Sequence, residues 1–223
     1  GENPYKSPTD MGVNMAGNCI CDDSVCREAS NQEIIRRYYA ALKGLAEGKS
    51  QEDEAYKIEL LMKQAHITIN DRKVVGAALD KAEKTQGPAA ALELPDGQII
   101  TGRTTPLLGP SAAVLLNALK TLAGLDDDLH LISPSVIEPI QTLKTEYLGS
   151  KNPRLHTDEV MIALSICAAT DKNAELALKQ IPKLKGCQAH SSVMLSSVDL
   201  KQFKRLNVQL TSEAKYENKI IYQ

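Results

Sequence analysis

Tryptophan is absent from this sequence, phenylalanine occurs once and tyrosine seven times, so aromatics are 4% of the residues. Any core must therefore be aliphatic, and a platform for stacking nucleic-acid bases is not expected. An excess of one charge is missing as well. The formal net charge is −2, which gives no electrostatic case for nucleic acid or an anionic membrane. No stretch approaches the roughly 18 uninterrupted apolar residues of a membrane span, and no signal peptide opens the chain. Cysteines are few: Cys19, Cys21, Cys26, Cys167 and Cys187 form an odd, unevenly spaced set. That argues for reduced thiols in a cytoplasm rather than a disulfide framework. An initiating Met is lacking too. The opening "GENPYKSPTD" reads as an entry into the middle of a longer protein.

What remains is ordinary globular material, 223 residues with 43% hydrophobic and 24% charged side chains. Residues 1–18 carry Pro4, Pro8, Gly12 and Gly17 and read as an ordered loop. Helical periodicity starts at Asp22, with Ile34, Ile35, Tyr38, Tyr39, Leu42 and Leu45 on one stripe and Gly48 as the stop. Two further helices follow, "SQEDEAYKIELLMKQA" and "INDRKVVGAALDKAEKTQG". The character changes at residue 88. "AAALELPDGQIITGRT" predicts a hairpin turning at Asp96-Gly97. A helix capped by Ser111, a short strand "DLHLIS", and a helix interrupted by Pro139 come next. "TDEVMIALSICAAT" is apolar almost all round and predicts a buried helix; after an amphipathic helix, "SSVMLSS", "VDLKQFKRLN" and "VQLTSEA" predict strand, helix, strand.

These elements predict an α/β chain, α+β overall, in two domains. A helical segment with an ordered loop spans 1–87, and a three-layer α/β domain with a mixed sheet of about five strands spans 88–223. The order of elements resembles the cytidine-deaminase-like arrangement. The H-x-E and P-C-x-x-C pattern of a zinc deaminase is absent, as is H-E-x-x-H. The C-x-C-x4-C spacing of Cys19, Cys21 and Cys26 has no second Cys or His pair close by, so no metal site is expected.

Chemistry concentrates in four places. "NPRLHTDEV" crowds Arg154, His156, Thr157, Asp158 and Glu159 before the apolar helix. Thr157 as cap, with Asp158 and Glu159 in the first turn, is what any well-built helix start shows. Arg154 and His156 are not explained that way, and a helix end beside them would suit a phosphate or carboxylate. "GCQAHSSVML" puts Cys187 and His190 three apart before a predicted strand; Cys–His catalysis is one reading and a small buried Cys the other. "TGRTTPLLGPS" offers Arg103, Thr104 and Ser111 ahead of a helix, where an oxyanion could bind. "YKSPTDMGVNMAGNC" places Lys6, Ser7, Thr9, Asp10 and Asn14 in a loop able to close over a ligand or to serve as a linker.

The blocks "NPYKSPTDMGVNMAG", "QEIIRRYYAAL", "ELPDGQIITGRTTPLLGPSAAVLLNALK", "HLISPSVIEPIQ" and "NPRLHTDEVMIALSICAAT" together resemble the C-terminal part of a bacterial family, domain of unknown function 1846. The resemblance runs from end to end. It implies a protein about twice this length whose N-terminal half carries a glycine-rich, phosphate-loop-like segment. A zinc-protease label attached to some members finds no ligand motif here. The expectation is a cytoplasmic protein in which this piece works beside its own N-terminal domain. His156, Asp158, Glu159, Cys187 and His190 are the candidate catalytic side chains. Arg103, Thr104, Ser111, Arg154 and the loop residues 6–14 would hold a phosphorylated small molecule or nucleotide, with no cofactor identified. The alternative is a non-catalytic scaffold or oligomerisation domain, and a homo-oligomer is expected.

Overall fold

The computed structural model describes residues 23–217, so Lys6, Ser7, Thr9, Asp10 and Asn14 lie outside the described residues. The chain divides between Arg72 and Lys73 into two compact units, earlier than the change of character at residue 88. In the first unit α1 (Asp23–Ala46) and α2 (Glu52–Gln64) pack on each other. A 3₁₀ turn at Ile69–Asp71 follows, and Gln32 ties it down by donating to the Asp71 carbonyl at 2.8 Å.

The second unit is built on a sheet. α3 (Lys73–Thr85) leads into the hairpin of β1 (Ala89–Glu93) and β2 (Ile99–Arg103). The turn falls where Asp96-Gly97 predicts it: Gly97 sits at φ +85°, donates to the Leu94 carbonyl, and Asp96 accepts from the Gln98 amide. A residue with a Cβ is strained at that φ, so the glycine decides the turn. Then come α4 (Pro110–Leu122), α5 (Pro134–Thr142), α6 (Thr157–Cys167), α7 (Lys172–Leu178), β3 (Gln188–Ser191), α8 (Ser197–Arg205) and β4 (Gln209–Ser212). The strands lie in the order β2-β1-β3-β4, with β1 antiparallel to both neighbours and β3 parallel to β4.

Strand alternation sorts the side chains onto two faces. Ala90, Leu92 and Ala189 join Val114, Leu115 and Leu119 of α4 in the main aliphatic core, with α6 and α7 behind them. Ala91 and Ile99 face Val74 and Ala78 of α3 on the other side. This is a helix–sheet–helix layering. At Gly102 the approach of α4 is so close that a Cβ would lie 2.2 Å from the Val114 nitrogen and 2.6 Å from the Ala113 carbonyl carbon.

Several expectations are corrected. The described residues contain four strands, not about five. "DLHLIS" is irregular, and the Lys120 ammonium binds the carbonyl of Asp127 just before it and that of Leu129 within it, the latter a group a strand needs for its ladder. The third strand is "QAHS" rather than "SSVMLSS". Pairing on β1 ends where the Ser192 amide reaches the Ala89 carbonyl, and the chain then turns toward α8. α4 starts at Pro110 with Gly109 as cap, which places Ser111 inside the helix and buried. α6 is not buried all round: Ile162 and Ile166 are 61% and 62% exposed. α5 carries Pro139 in its body and runs on into a π turn at Leu143–Tyr147, where Leu143, Tyr147 and Leu148 are exposed. Among the described residues, no helix is long and apolar enough to cross a membrane.

Candidate functional site

Because β1 runs antiparallel to β2 and β3, and β4 is parallel to β3, the strands β2, β3 and β4 finish at one end of the sheet. In open α/β sheets that end gathers ligands, since helices begin there and point free N–H groups outward. The segment before α6 is drawn to the same place. The Leu155 amide donates to the Leu107 carbonyl at 2.9 Å, Leu108 and Leu155 form a parallel bridge, and Gly109 donates to Leu155 at 3.4 Å. Gln141 clamps the arrangement by donating to the carbonyls of Pro106 and Pro153, both at 3.0 Å.

His156 is the N-cap of α6, and Thr157 is its first residue rather than its cap. The partner that organises both is Asp199, in the first turn of α8 and 4% exposed. One carboxylate oxygen accepts from the Thr157 amide at 3.0 Å and the Thr157 hydroxyl at 2.9 Å. The other lies 3.1 Å from His156 Nδ1 and accepts from the Ser196 hydroxyl at 2.8 Å. The anion seat expected at the start of this helix is thus filled by a carboxylate of the chain itself.

The electrostatics follow from the geometry. The hydrogen bond to Asp199, aided by its charge, raises the His156 pKa above its ordinary 6.5 and outweighs partial burial; Lys144 opposes and Glu159 assists. Burial pushes the Asp199 carboxyl up, but the hydrogen bond and charge of His156, with the Thr157 amide and Ser196, hold it below its ordinary 3.8. Ser196 Oγ lies 3.3 Å from His156 Nδ1, the nitrogen that Asp199 also uses. A serine nucleophile needs the opposite nitrogen, so this Ser–His–Asp set is not a hydrolase triad. Among the described residues nothing is hydrogen-bonded to His156 Nε2.

The other sequence candidates separate. Arg154 Nη1 is held by both oxygens of Glu217, at 2.7 and 2.8 Å. Glu159 is structural: it accepts from the His156 amide and from the Lys144 ammonium, each at 2.7 Å. Lys144, 8% exposed along its side chain, also donates to the Arg154 carbonyl. Asp158 accepts from the Glu159 amide. Cys187 faces the α4 side of the sheet, where burial pushes its thiol up, the reverse of an activated thiolate. His190, three residues on, belongs to the opposite face, with Nδ1 2.8 Å from Thr211 Oγ1 and Nε2 3.4 Å from Glu213. The two do not meet. The Thr104 hydroxyl is buried without a hydrogen-bond partner among the described residues, and Arg103 lies exposed at the end of β2. No group of three His, Cys, Asp or Glu that could hold a metal occurs among the described residues.

Sequence reading missed Asp199, Ser196, Lys144 and Glu217. A signal for the first two existed: Ser196 and Asp199 stand three apart at a helix start, the spacing of a capping box. Lys144 and Glu217 carry no local signal, because their partners are remote in sequence.

Residues 70–222 match the family model described as domain of unknown function DUF1846, C-terminal, and residues 1–66 match domain of unknown function DUF1846, N-terminal. The interval between the two matches, residues 67–69, lies a few residues before the division at Arg72. The chain is 58% identical to a UPF0371 protein of Corynebacterium aurimucosum, 55% to one of Corynebacterium urealyticum and 50% to one of Streptococcus thermophilus. Each match covers 100% of this chain and 45% of the relative, so the chain spans about half the length of these curated relatives.

Proposed function

The chain belongs to the family of domain of unknown function DUF1846; we propose that within it this chain supplies the proton-transfer group of a site for a phosphorylated small molecule. His156 is the acid and base, and Asp199 is the carboxylate that orients it. One observation carries the reading: a nine-tenths-buried aspartate engages Nδ1 of a half-buried histidine at 3.1 Å. With Nδ1 engaged, Nε2 is the nitrogen that can exchange a proton with a ligand. A histidine with its pKa raised from 6.5 is a competent acid near neutral pH. Arg154 adds a guanidinium two residues before His156. A phosphate must displace Glu217 to use it. The remaining length of the relatives is where a nucleotide- or phosphate-binding partner domain would stand.

The test is a pH titration of the His156 ring by NMR. Its midpoint is expected above 6.5, and Asp199→Asn should lower it. In the full-length protein, His156→Gln should lower the unliganded midpoint, because Asp199 loses its charged partner, and should also reduce the further rise that phosphorylated metabolites give the parent. A His156 midpoint at or below the ordinary value would remove the acid–base role.

A second reading, self-association, is supported by exposed apolar side chains. Leu143, Tyr147, Leu148, Ile162 and Ile166 are all at least half exposed, on two elements that the Lys144–Glu159 pair joins. Apolar groups gathered at a surface mark interaction sites. Sedimentation should then show a dimer or higher species that Ile162→Glu with Ile166→Glu converts to monomer. A parent that sediments as a monomer at all concentrations would end this reading.

A further inference from the structure

The free edge of the sheet carries a trough that takes in Arg103 of the sequence candidates and no member of the His156 cluster. β2 is the edge strand. The Thr104 amide bonds Pro88 and the Leu94 amide bonds Gln98, so in this register Gly102 and Ile100 spend their backbone groups on β1. Ile99, Thr101 and Arg103 therefore turn N–H and C=O outward. Asn117 of α4 donates to the outward Thr101 carbonyl at 2.9 Å.

Two concave regions adjoin along this edge. One, of about 650 Å³, is walled by Leu107, Leu116, Leu129 and Ile132. The other, of about 830 Å³, continues past Gln98 and Thr121. They share Lys81, Thr101, Asn117, Lys120 and Asp127. Both volumes lie within the usual range for small-molecule sites. Elsewhere in the chain lysines find carboxylates, as Lys57 does with Asp53 and Lys179 with Glu175. In the trough, Lys81 and Arg103 pair with no carboxylate among the described residues, although Asp126, Asp127 and Asp128 share the lining. Lys120 is buried, its ammonium bound by the carbonyls of Asp127 and Leu129. No Phe, Tyr or Trp lines either region, and His130 is the one ring among the lining residues.

We infer that the trough binds a phosphorylated ligand with an aliphatic rather than an aromatic body. Lys81, Arg103 and the outward amides of Thr101 and Arg103 take the phosphate, since charge-assisted N–H donors suit its oxygens. The leucines and Ile132 take the hydrocarbon part. A nucleobase would find no Phe, Tyr or Trp ring to stack on, only the small His130 imidazole. This inference stands independently of the His156 reading, because no described trough residue belongs to that cluster.

Calorimetry with n-hexyl phosphate, inorganic phosphate, adenosine monophosphate and n-hexanol tests it on the intact chain. Hexyl phosphate should bind about tenfold or more tightly than inorganic phosphate. The nucleotide should bind no better than inorganic phosphate, and hexanol should not bind measurably. Arg103→Ala with Lys81→Ala should remove hexyl phosphate binding, whereas Lys179→Ala, an exposed lysine outside the trough and the His156 cluster, should leave it unchanged. Absence of hexyl phosphate binding, equal binding of hexanol, preference for the nucleotide, or indifference to the Arg103 and Lys81 changes would each overturn the inference. Sedimentation with phosphatidate vesicles separates the sources of the same chemistry. The protein should stay in the supernatant, and co-sedimentation lost in the Arg103 and Lys81 variant would reassign the trough to a lipid surface.

Discussion

Gly102→Ala is expected to cost more stability than any other glycine-to-alanine change among the described residues. The new Cβ would stand 2.2 Å from the Val114 nitrogen and 2.6 Å from Ala113 C and Val114 Cα. These are backbone atoms of α4, so no rotamer change can clear them. The helix must lift off β2, which separates Val114 and Leu115 from Ala90 and Leu92 in the main core. Overpacking of this severity costs about 3 kcal/mol or more, a large part of the roughly 5–15 kcal/mol that holds a domain folded. Gly76→Ala is the matched control. It lies inside α3 with nothing within 4 Å of the added carbon, and a helix interior gains about 0.5–1 kcal/mol from that exchange. Urea unfolding of the two variants should therefore move in opposite directions. A Gly102→Ala protein that unfolds with the parent would mean that α4 does not approach β2 this closely.

Asp199→Ala is the second large effect. The carboxylate accepts from the Thr157 amide and hydroxyl and from Ser196, and faces His156 Nδ1. Thr157 is fully buried, so no water replaces the lost acceptor there. Breaking a buried, hydrogen-bonded charge pair costs about 3–5 kcal/mol. The loss should also depend on pH. His156 has a pKa raised above 6.5 in the fold, so its pairing stabilises fully below 6.5 and fades as pH rises through the raised value. Asp199 has a lowered pKa, so its contribution is present above 3.8 and fades as pH falls through the lowered value. The gap between parent and variant should be widest in the window from 3.8 to 6.5 and shrink in alkaline buffer. Urea unfolding across that range measures it, and a gap that stays constant with pH would show that the ion pair contributes nothing.

Sequence pattern carried the elements whose signal is local. Gly97 at a positive φ and the stripe from Ile34 to Leu45 depend on neighbours within a few residues. It failed where a remote group intervenes. "DLHLIS" alternates like a strand, yet the Lys120 side chain binds the carbonyl of Leu129 within it and that of Asp127 just before it. The site divides the same way. His156 stood out because Thr157 reads as the cap in sequence and leaves the imidazole before it unexplained, although His156 is itself the N-cap. Asp199 was hidden as an ordinary first-turn acid in α8, 43 residues from His156. The Cys187–His190 pairing looked adequate in sequence. A strand turns residues three apart to opposite faces, and burial then raises the thiol.

The central strand β1 has two kinds of neighbour. Ala90 lies opposite Gly102 across a tight turn, and opposite Ser191 on its other side. The Ala89 amide reaches Ser192 across 103 residues. Loop closure makes the first pairing entropically cheap and the second slow. His156 meets Asp199 only when α8 has been delivered by β3 to the sheet end. Arg154 meets Glu217 only when β4 has added beside β3. The chemistry-bearing cluster is therefore absent from every local segment of the chain, so that a charged imidazole in register with its aspartate reports a sheet in which β3 lies beside β1.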